Sequence, residues 1–326
     1  MKSKIENSLE IKDLNINFNS YLGVAEVLKD LKFKIPKHSW FGLAGESGCG
    51  KSVTALSILK LLPDSAVIKS GEILFQGENL LEKSETQMEG IRGKQISMVF
   101  QDPQTSLNPS MRIENQLIET LLAHKRMNKR DAKQTALEML EKVKINSPKD
   151  SFRQYPHELS GGMKQRVAIA NALLCKPNLL IADEFTTNLD VTIQSEIITL
   201  VLQLQEEFNM EILFISHDLA LIYESCDYMG VMYAGQIVES GKVSKVFKEP
   251  SHPYTKGLLE AIPTLSQKTT KKLQGISGFV PSLVNPPRGC RFHTRCKLKI
   301  KNVCDTEDCL ETVLGEDHSV WCHLFN

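Results

Sequence analysis

The octapeptide "GESGCGKS", Gly45 to Ser52, narrows the fold of this chain more than any other stretch. It fits G-x-x-x-x-G-K-[ST], in which glycines let the backbone curl and a cation and a hydroxyl follow at fixed spacing. Before it, "WFGLA" is apolar and short enough for a buried strand; after it, "KSVTALSILKLL" carries apolar residues at helical spacing. A strand entering a helix through such a loop aims successive N–H groups and the positive helix end at one spot, an anion cradle. Lys51 is then placed for the outer phosphates of a nucleotide and Ser52 for Mg²⁺. A chain built on this unit is α/β, and it must supply further strands for the first to lie against.

Those strands are legible farther on. "NLLIADE", Asn178 to Glu184, and "MEILFISH", Met210 to His217, are strongly apolar and separated by the helical "VTIQSEIITLVLQLQEEF", which predicts a parallel sheet. Asp183 and Glu184 fall at the carboxyl end of the first, where open α/β sheets hold ligands. Asp183 is the expected partner of Mg²⁺, through water, and Glu184 the group that polarises an attacking water. Gln101, closing "ISMVFQ", and His217, closing "ILFISH", end strands in the same manner.

The remaining texture sets the organisation. "LEIKDLNINF", "AEVLKDLKFKI" and "GEILFQGENL" alternate like half-buried antiparallel strands. From Glu85 to Leu174 helix formers dominate, around a basic run read as a solvated helix face. After Lys248 Pro, Gly, Ser and Thr accumulate, with one helical piece predicted from Lys256 to Ile262. Lys+Arg and Asp+Glu are both 39, without the basic footprint of a general nucleic-acid binder. No apolar run reaches the roughly 20 residues of a membrane span, and the first residues lack an apolar signal-peptide centre. A cytosolic protein is expected, whose eight cysteines are not structural disulfides.

A second glycine pair poses the harder question. In "LSGGMKQR", Leu159 to Arg166, Ser160 is placed to cap a helix whose first N–H groups Gly161 and Gly162 leave exposed. It can hold an anion, yet no strand and loop precede it to wrap one. Such a half-built site makes sense if a second molecule brings the phosphate, two subunits lying head to tail around each nucleotide.

"GESGCGKS", "VFQDP", "LSGGMKQR", "LLIADE", "NLD" and "ISHD" occur in the order found in the ATP-binding cassette (ABC) ATPases, which the chain resembles from about Leu9 to Lys248. The resemblance implies an ABC ATPase core, with a mixed sheet, an antiparallel β-subdomain and a helical signature subdomain at about 88–174, within residues 1–248. A small, irregular, cysteine-rich module is expected over 249–326. The resemblance further implies that Gly45, Ser47, Gly48, Cys49, Gly50, Lys51, Ser52 and Val53 hold phosphate, and that Ser52, Gln101 and Asp183 serve Mg²⁺. Glu184 would be the catalytic base and His217 the switch histidine. Ser160, Gly161, Gly162 and Gln165 would face the partner's ATP, and Asn188, Leu189 and Asp190 would form the dimer-contact D-loop. Tyr21 is assigned to stack on adenine, with Phe18 the other candidate. Phe185, where proline is usual, and Asn188, where a small residue is usual, depart from the pattern without removing a phosphate or metal ligand.

"VFQDPQTSLNP", "SGGMKQRVAIANALL", "DVTIQSEII" and "HPYTKGLLEAIP" resemble the oligopeptide/dipeptide/nickel permease branch, and the long tail resembles its D-type ATPase. This implies an importer subunit at the cytoplasmic face of the membrane, most simply for peptides. Its partners would be an F-type paralogue or a second copy, two transmembrane permease subunits and, indirectly, an external solute-binding protein. The segment after Gln101 would face the permease subunits. Nickel or another solute is the alternative cargo; a soluble ABC ATPase on nucleic acid or ribosomes, and a redox-sensing module, are alternative readings. In the tail, C-x₅-C-x₇-C-x₁₇-C lacks the close pairs that zinc modules favour. By resemblance Cys290, Cys296, Cys304 and Cys322 are expected to carry a [4Fe–4S] cluster, with zinc through His293, His318 or His323 and uncoordinated thiols as the alternatives, and Cys309 left over as a free thiol or a substitute ligand.

Overall fold

The computed structural model describes residues 7–102, 106–187, 189–261 and 275–326. In chain order the first strands are β1 (Asn7–Ser20), β2 (Gly23–Pro36), β3 (Trp40–Ala44), β4 (Ala66–Phe75), β5 (Glu78–Asn79) and β6 (Ile96–Val99). They are followed by β7 (Leu179–Asp183), β8 (Glu211–Ser216), β9 (Tyr228–Tyr233), β10 (Gln236–Lys242), β11 (Glu311–Gly315) and β12 (His318–Trp321). The chain divides into two compact units, one comprising the chain to Glu82 with Ile215–Asn326, the other Lys83–Phe214.

In the first unit an antiparallel sheet runs β2-β1-β4-β5. The spacing of its buried residues explains its irregularity. Leu9, Ile11, Leu14 and Ile16 of β1 are all buried, as are Leu28, Leu31, Phe33 and Ile35 of β2. Strict alternation would put Leu9 and Ile11 on the opposite face from Leu14 and Ile16, and Leu28 on the opposite face from Leu31, Phe33 and Ile35. The extra residue at Asp13 (φ 42°) and at Asp30 (φ 46°) resets the phase, and the ladder shifts register there. Asn15 seals the irregularity, its Nδ2 donating to Asp30 Oδ1 at 3.0 Å and its Oδ1 accepting from Asp30 N at 3.1 Å. Gly71 (φ 104°) crosses the same point, where a Cβ would lie 2.5 Å from Leu14 Cα.

The larger sheet of this unit runs β11-β12-β10-β9-β3, with β3 parallel to β9 and the rest antiparallel. This corrects the expectation of a separate cysteine-rich module, because the last hairpin of the chain, β11–β12, extends that sheet. Two features of β10 admit it. Gly241 lets β12 approach closely, since a Cβ there would be 2.4 Å from Asp317 O. Glu239, fully buried, accepts from Ser251 N, His252 N and His318 Nε2 at 2.8, 2.9 and 2.8 Å, so its charge is solvated by the tail.

In the second unit β6 and β7 pair in parallel, with β8 beyond β7. The helices Ile113–His124, Lys129–Lys142 and Gly161–Leu173 bury Leu117, Leu121, Ala136, Leu140, Val167 and Ile169 against one another. Of the basic run, Lys125 and Arg126 lie in the link between the first two, and Lys129, Arg130 and Lys133 are exposed on the second. Among the described residues no helix is long and apolar enough to cross a membrane. The predicted helix near Lys256 is Pro253–Glu260; Ile262, Asn188 and residues 103–105, within the segment after Gln101, lie outside the described residues.

Candidate nucleotide site

The loop Gly45–Ser52 leaves a wholly buried strand β3 and enters the helix Lys51–Ile58, as the motif requires. Gly50 (φ 110°) is its N-cap and has no side chain to cap the first helical N–H groups. Gly45 is a close approach: a Cβ would sit 2.2 Å from Met232 O. Gly48 (φ 78°) has nothing within 4 Å of such a Cβ, which leaves the mouth of the loop open. Lys51 is 5% exposed and folded over the loop, its ammonium donating to Gly45 O at 2.8 Å and Glu46 O at 3.2 Å. Ser47 and Ser52 are exposed and Val53 is half-buried. Cys49 is a packing residue: burial pushes its thiol up, against the pull of Lys51. An open mouth, an ammonium held by carbonyls that phosphate oxygens can replace, and an exposed hydroxyl beside it suit a nucleotide phosphate with its Mg²⁺.

The loop is also braced by residues far away in sequence. Gly235, in the turn between β9 and β10, donates its N–H to Cys49 O at 2.8 Å. Tyr254 Oη accepts the N–H of Glu46 at 3.0 Å. Burial, then the Glu46 charge, pushes the Tyr254 phenol up, so the hydroxyl stays neutral. Neither Tyr254 nor Glu46 was indicated by the motif, which specifies only the loop's own glycines, lysine and serine. Tyr21, assigned to adenine, is 96% exposed in the turn after β1, while Phe18 is half-buried within β1. His217 is exposed just past β8, and Asp218 caps the next helix by accepting from Ala220 N at 2.9 Å.

In the second unit Asp183 is buried at the end of β7, and Glu184 follows with φ 45°, a turn that separates the two carboxylates in direction. Gln101 Nε2 donates to Glu184 Oε2 at 2.7 Å, so strand β6 and strand β7 bring these two predicted residues together. Phe185 is buried and meets Phe214 edge-on with centroids 5.8 Å apart, a packing role for the residue that departs from the pattern. Asp190 caps the helix Val191–Phe208 by accepting from Ile193 N at 3.0 Å.

The second glycine pair opens the helix Gly161–Leu173, with Ser160 Oγ accepting from Met163 N at 3.3 Å. Ser160 and Gly161 are exposed and Gly162 half-buried. Gln165, expected to face a partner's ATP, shares a helix face with Ile169 and is fully buried, and its amide atoms have no hydrogen-bond partner among the described residues.

The tail cysteines are free thiols, but among the described residues no group of three or more His, Cys, Asp or Glu is placed to hold a metal ion. The expected cluster therefore finds no support in the geometry. Cys290 is engaged by Cys309, the residue left out of the expected quartet; this hydrogen bond, with a lesser one from His252, pushes the Cys290 thiol down to about 4. Cys304 Sγ accepts from Ile300 N at 3.3 Å, and burial pushes Cys322 up to about 11. The histidines considered for zinc are engaged elsewhere. His293 Nδ1 lies 2.8 Å from Cys290 O, His318 Nε2 2.8 Å from Glu239, and His323 Nε2 2.9 Å from Glu307 O.

Comparison with known proteins agrees with the loop and the strands. The family model for ABC transporters matches residues 28–187, and that for the oligopeptide/dipeptide transporter C-terminal region matches 238–304. The oligopeptide transport ATP-binding protein OppD of Bacillus subtilis is 47% identical over 299 residues, 91% of this chain and 84% of its own. The dipeptide transport ATP-binding protein DppD of the same organism is 44% identical over 321 residues, 98% and 95% of the two chains. Among solved structures, the dimeric MJ0796 ABC transporter cassette matches in fold with TM-score 0.65 and 24% identity, over 72% of this chain and 98% of that one. The cbiO1 subunit from Clostridium perfringens matches with TM-score 0.63 and 27% identity, over 75% and 92%.

Proposed function

The chain belongs to the ABC transporter family, as an ATPase that carries the oligopeptide/dipeptide transporter C-terminal region, and from that premise we propose that it hydrolyses ATP to power uptake of peptides. The cargo is supported by the relatives, which are named for oligopeptide and dipeptide transport. The observation that carries the nucleotide reading is the Lys51 ammonium, folded over an open glycine loop where it donates to the carbonyls of Gly45 and Glu46. An incoming phosphate exchanges those neutral acceptors for charged ones.

In this reading the N–H groups of Gly48, Cys49, Gly50, Lys51 and Ser52 and the Lys51 ammonium bind the β- and γ-phosphates. Ser52, Gln101 and Asp183 are the groups that would hold Mg²⁺, which when bound neutralises charge on the phosphoryl oxygens. Glu184 orients a water for in-line attack and takes its proton, and His217 contacts the γ-phosphate edge. The Gln101–Glu184 hydrogen bond keeps the carboxylate engaged before nucleotide arrives. Ser160, Gly161 and Gly162 complete the site on a facing cassette, an F-type paralogue or a second copy, and Tyr21 stacks on adenine. The cassette pair works beneath two permease subunits at the cytoplasmic face of the membrane, with the solute captured outside by a binding protein. The cysteine cluster has no part in this reading.

Glu184→Gln tests it directly. The variant retains ATP binding, while steady-state hydrolysis falls by roughly two orders of magnitude or more, the loss expected for a positioned general base, and closed cassette pairs accumulate. Undiminished turnover would exclude Glu184 from the role.

A further inference from the structure

The phosphate loop carries a carboxylate that its own chemistry does not need. Glu46 follows the first glycine, and its charge sits on the loop that must receive a polyanion. Its backbone carbonyl is 3.2 Å from the Lys51 ammonium, so Glu46 belongs to the loop beside that lysine, and an unpaired carboxylate there would repel incoming phosphate. The side chain is not free. Arg295, between Cys290 and Cys304 in the tail, grips both carboxylate oxygens, Nη1 to Oε2 at 2.7 Å and Nη2 to Oε1 at 3.1 Å.

The grip is rigid because the arginine is itself fixed. Nε donates to Ser277 O at 3.1 Å, Nη2 to Ile276 O at 3.2 Å, and the guanidinium lies over the Tyr233 ring at 5.7 Å. Its side chain is 5% exposed against 27% for Glu46, so water screens the pair weakly on the arginine side. A second tail arginine acts on the loop's other neighbour. Arg291, buried, donates to Ala234 O and Glu26 Oε2, steadying the turn whose Gly235 N–H holds Cys49 O.

We propose that Arg295 is a positioning residue for nucleotide binding: it occupies the Glu46 carboxylate and thereby keeps that charge from repelling the phosphates that the loop receives. The C-terminal segment is then part of the ATP site and sets its affinity. This rests on the reading of Gly45–Ser52 as that site, and it adds a dependence on a residue some 250 positions downstream that the loop motif does not contain.

Binding of a non-hydrolysable ATP analogue with Mg²⁺ to the full chain, followed by calorimetry, decides it. Arg295→Met weakens binding about tenfold, because an unmasked charge now faces the phosphates, and the loss shrinks as salt is raised. Glu46→Gln binds as well as the unmodified chain or more tightly. The double variant returns to within about threefold of the unmodified chain. A brace that acted only through packing would weaken both single variants and leave the double variant no better than Arg295→Met; that pattern, or undisturbed binding in Arg295→Met, overturns the proposal. Should Arg295→Met fail to fold, Glu46→Gln alone decides, since weakened binding there contradicts charge masking. Lys51→Ala is the separate control: if the unmodified chain does not bind, or Lys51→Ala binds equally, the nucleotide reading fails rather than the role of Arg295.

Discussion

The two glycine-rich helix starts of this chain look alike as strings and differ as structures. At Gly45–Ser52 nearly every group is engaged by its own chain: Gly45 abuts Met232 O, Gly235 N–H holds Cys49 O, Tyr254 holds Glu46 N–H and Arg295 holds the Glu46 carboxylate. At Ser160–Gly162 the hydrogen bonds among the described residues are local, Ser160 Oγ accepting from Met163 N and Ser160 O from Lys164 N. A Cβ added at Gly161 would meet nothing nearer among the described residues than Leu189 Cδ2 at 4.0 Å. A loop that encloses a ligand must be shaped from all sides, and long-range contacts supply that shape. A bare helix start can present N–H groups to a ligand held elsewhere and needs no such frame.

The largest effect should come from crowding the framed grip. Gly45→Ala drives a methyl group into a backbone carbonyl that belongs to β9 and cannot step aside. Unfolding in urea should show a loss of about 1–3 kcal/mol, the usual range for an overpacked interior, together with weakened ATP binding. An unchanged midpoint would mean that the frame yields and that the contrast between the two grips is only apparent.

How much of this was legible follows the same division. The loop and the strands that lead to Asp183 and Gln101 were readable because local spacing dictates them: an apolar strand delivers its last residue to the sheet edge. That Gln101 meets Glu184 depends on β6 pairing with β7, which spacing does not give. Tyr254, Arg291 and Arg295 were not readable, because nothing near them in sequence says that a tail folds back on a loop more than 200 residues away. The β11–β12 hairpin escaped for a related reason. Its residues Glu311–Gly315 are mostly exposed, so no buried alternation marks them, and the Glu239–His318 pair that ties the hairpin down joins residues 79 positions apart. Gln165 misled in the opposite direction. Its place in "LSGGMKQR" suggested a surface role, whereas helical spacing puts it on the same buried face as Ile169.

Removing the side-chain engagement of the bare grip should cost less. Ser160→Ala loses the cap on Met163 N, worth about 1 kcal/mol by the usual behaviour of helix N-caps. The loss should appear in urea unfolding, with ATP binding to the single chain intact. A loss as large as that of Gly45→Ala would show that the helix start is framed after all.

The smallest effect on stability is the most informative. Gly161 is the first residue of its helix, is exposed, and has neither a positive φ nor a neighbour that a methyl group would strike. Alanine is a better helix residue than glycine, so nothing among the described residues accounts for glycine at this position. In the proposed reading the account lies outside the chain: a phosphate on the facing cassette approaches the N–H groups more closely than a side chain would allow. Gly161→Ala should therefore shift unfolding by no more than about 0.5 kcal/mol and leave the single chain's ATP affinity unchanged. In the Glu184→Gln background it should lower the ATP-dependent pairing of cassettes at least tenfold, as read by sedimentation. If the pairs form as readily with alanine, close approach is not the reason for the glycine, and the bare grip does not serve a partner's nucleotide through it.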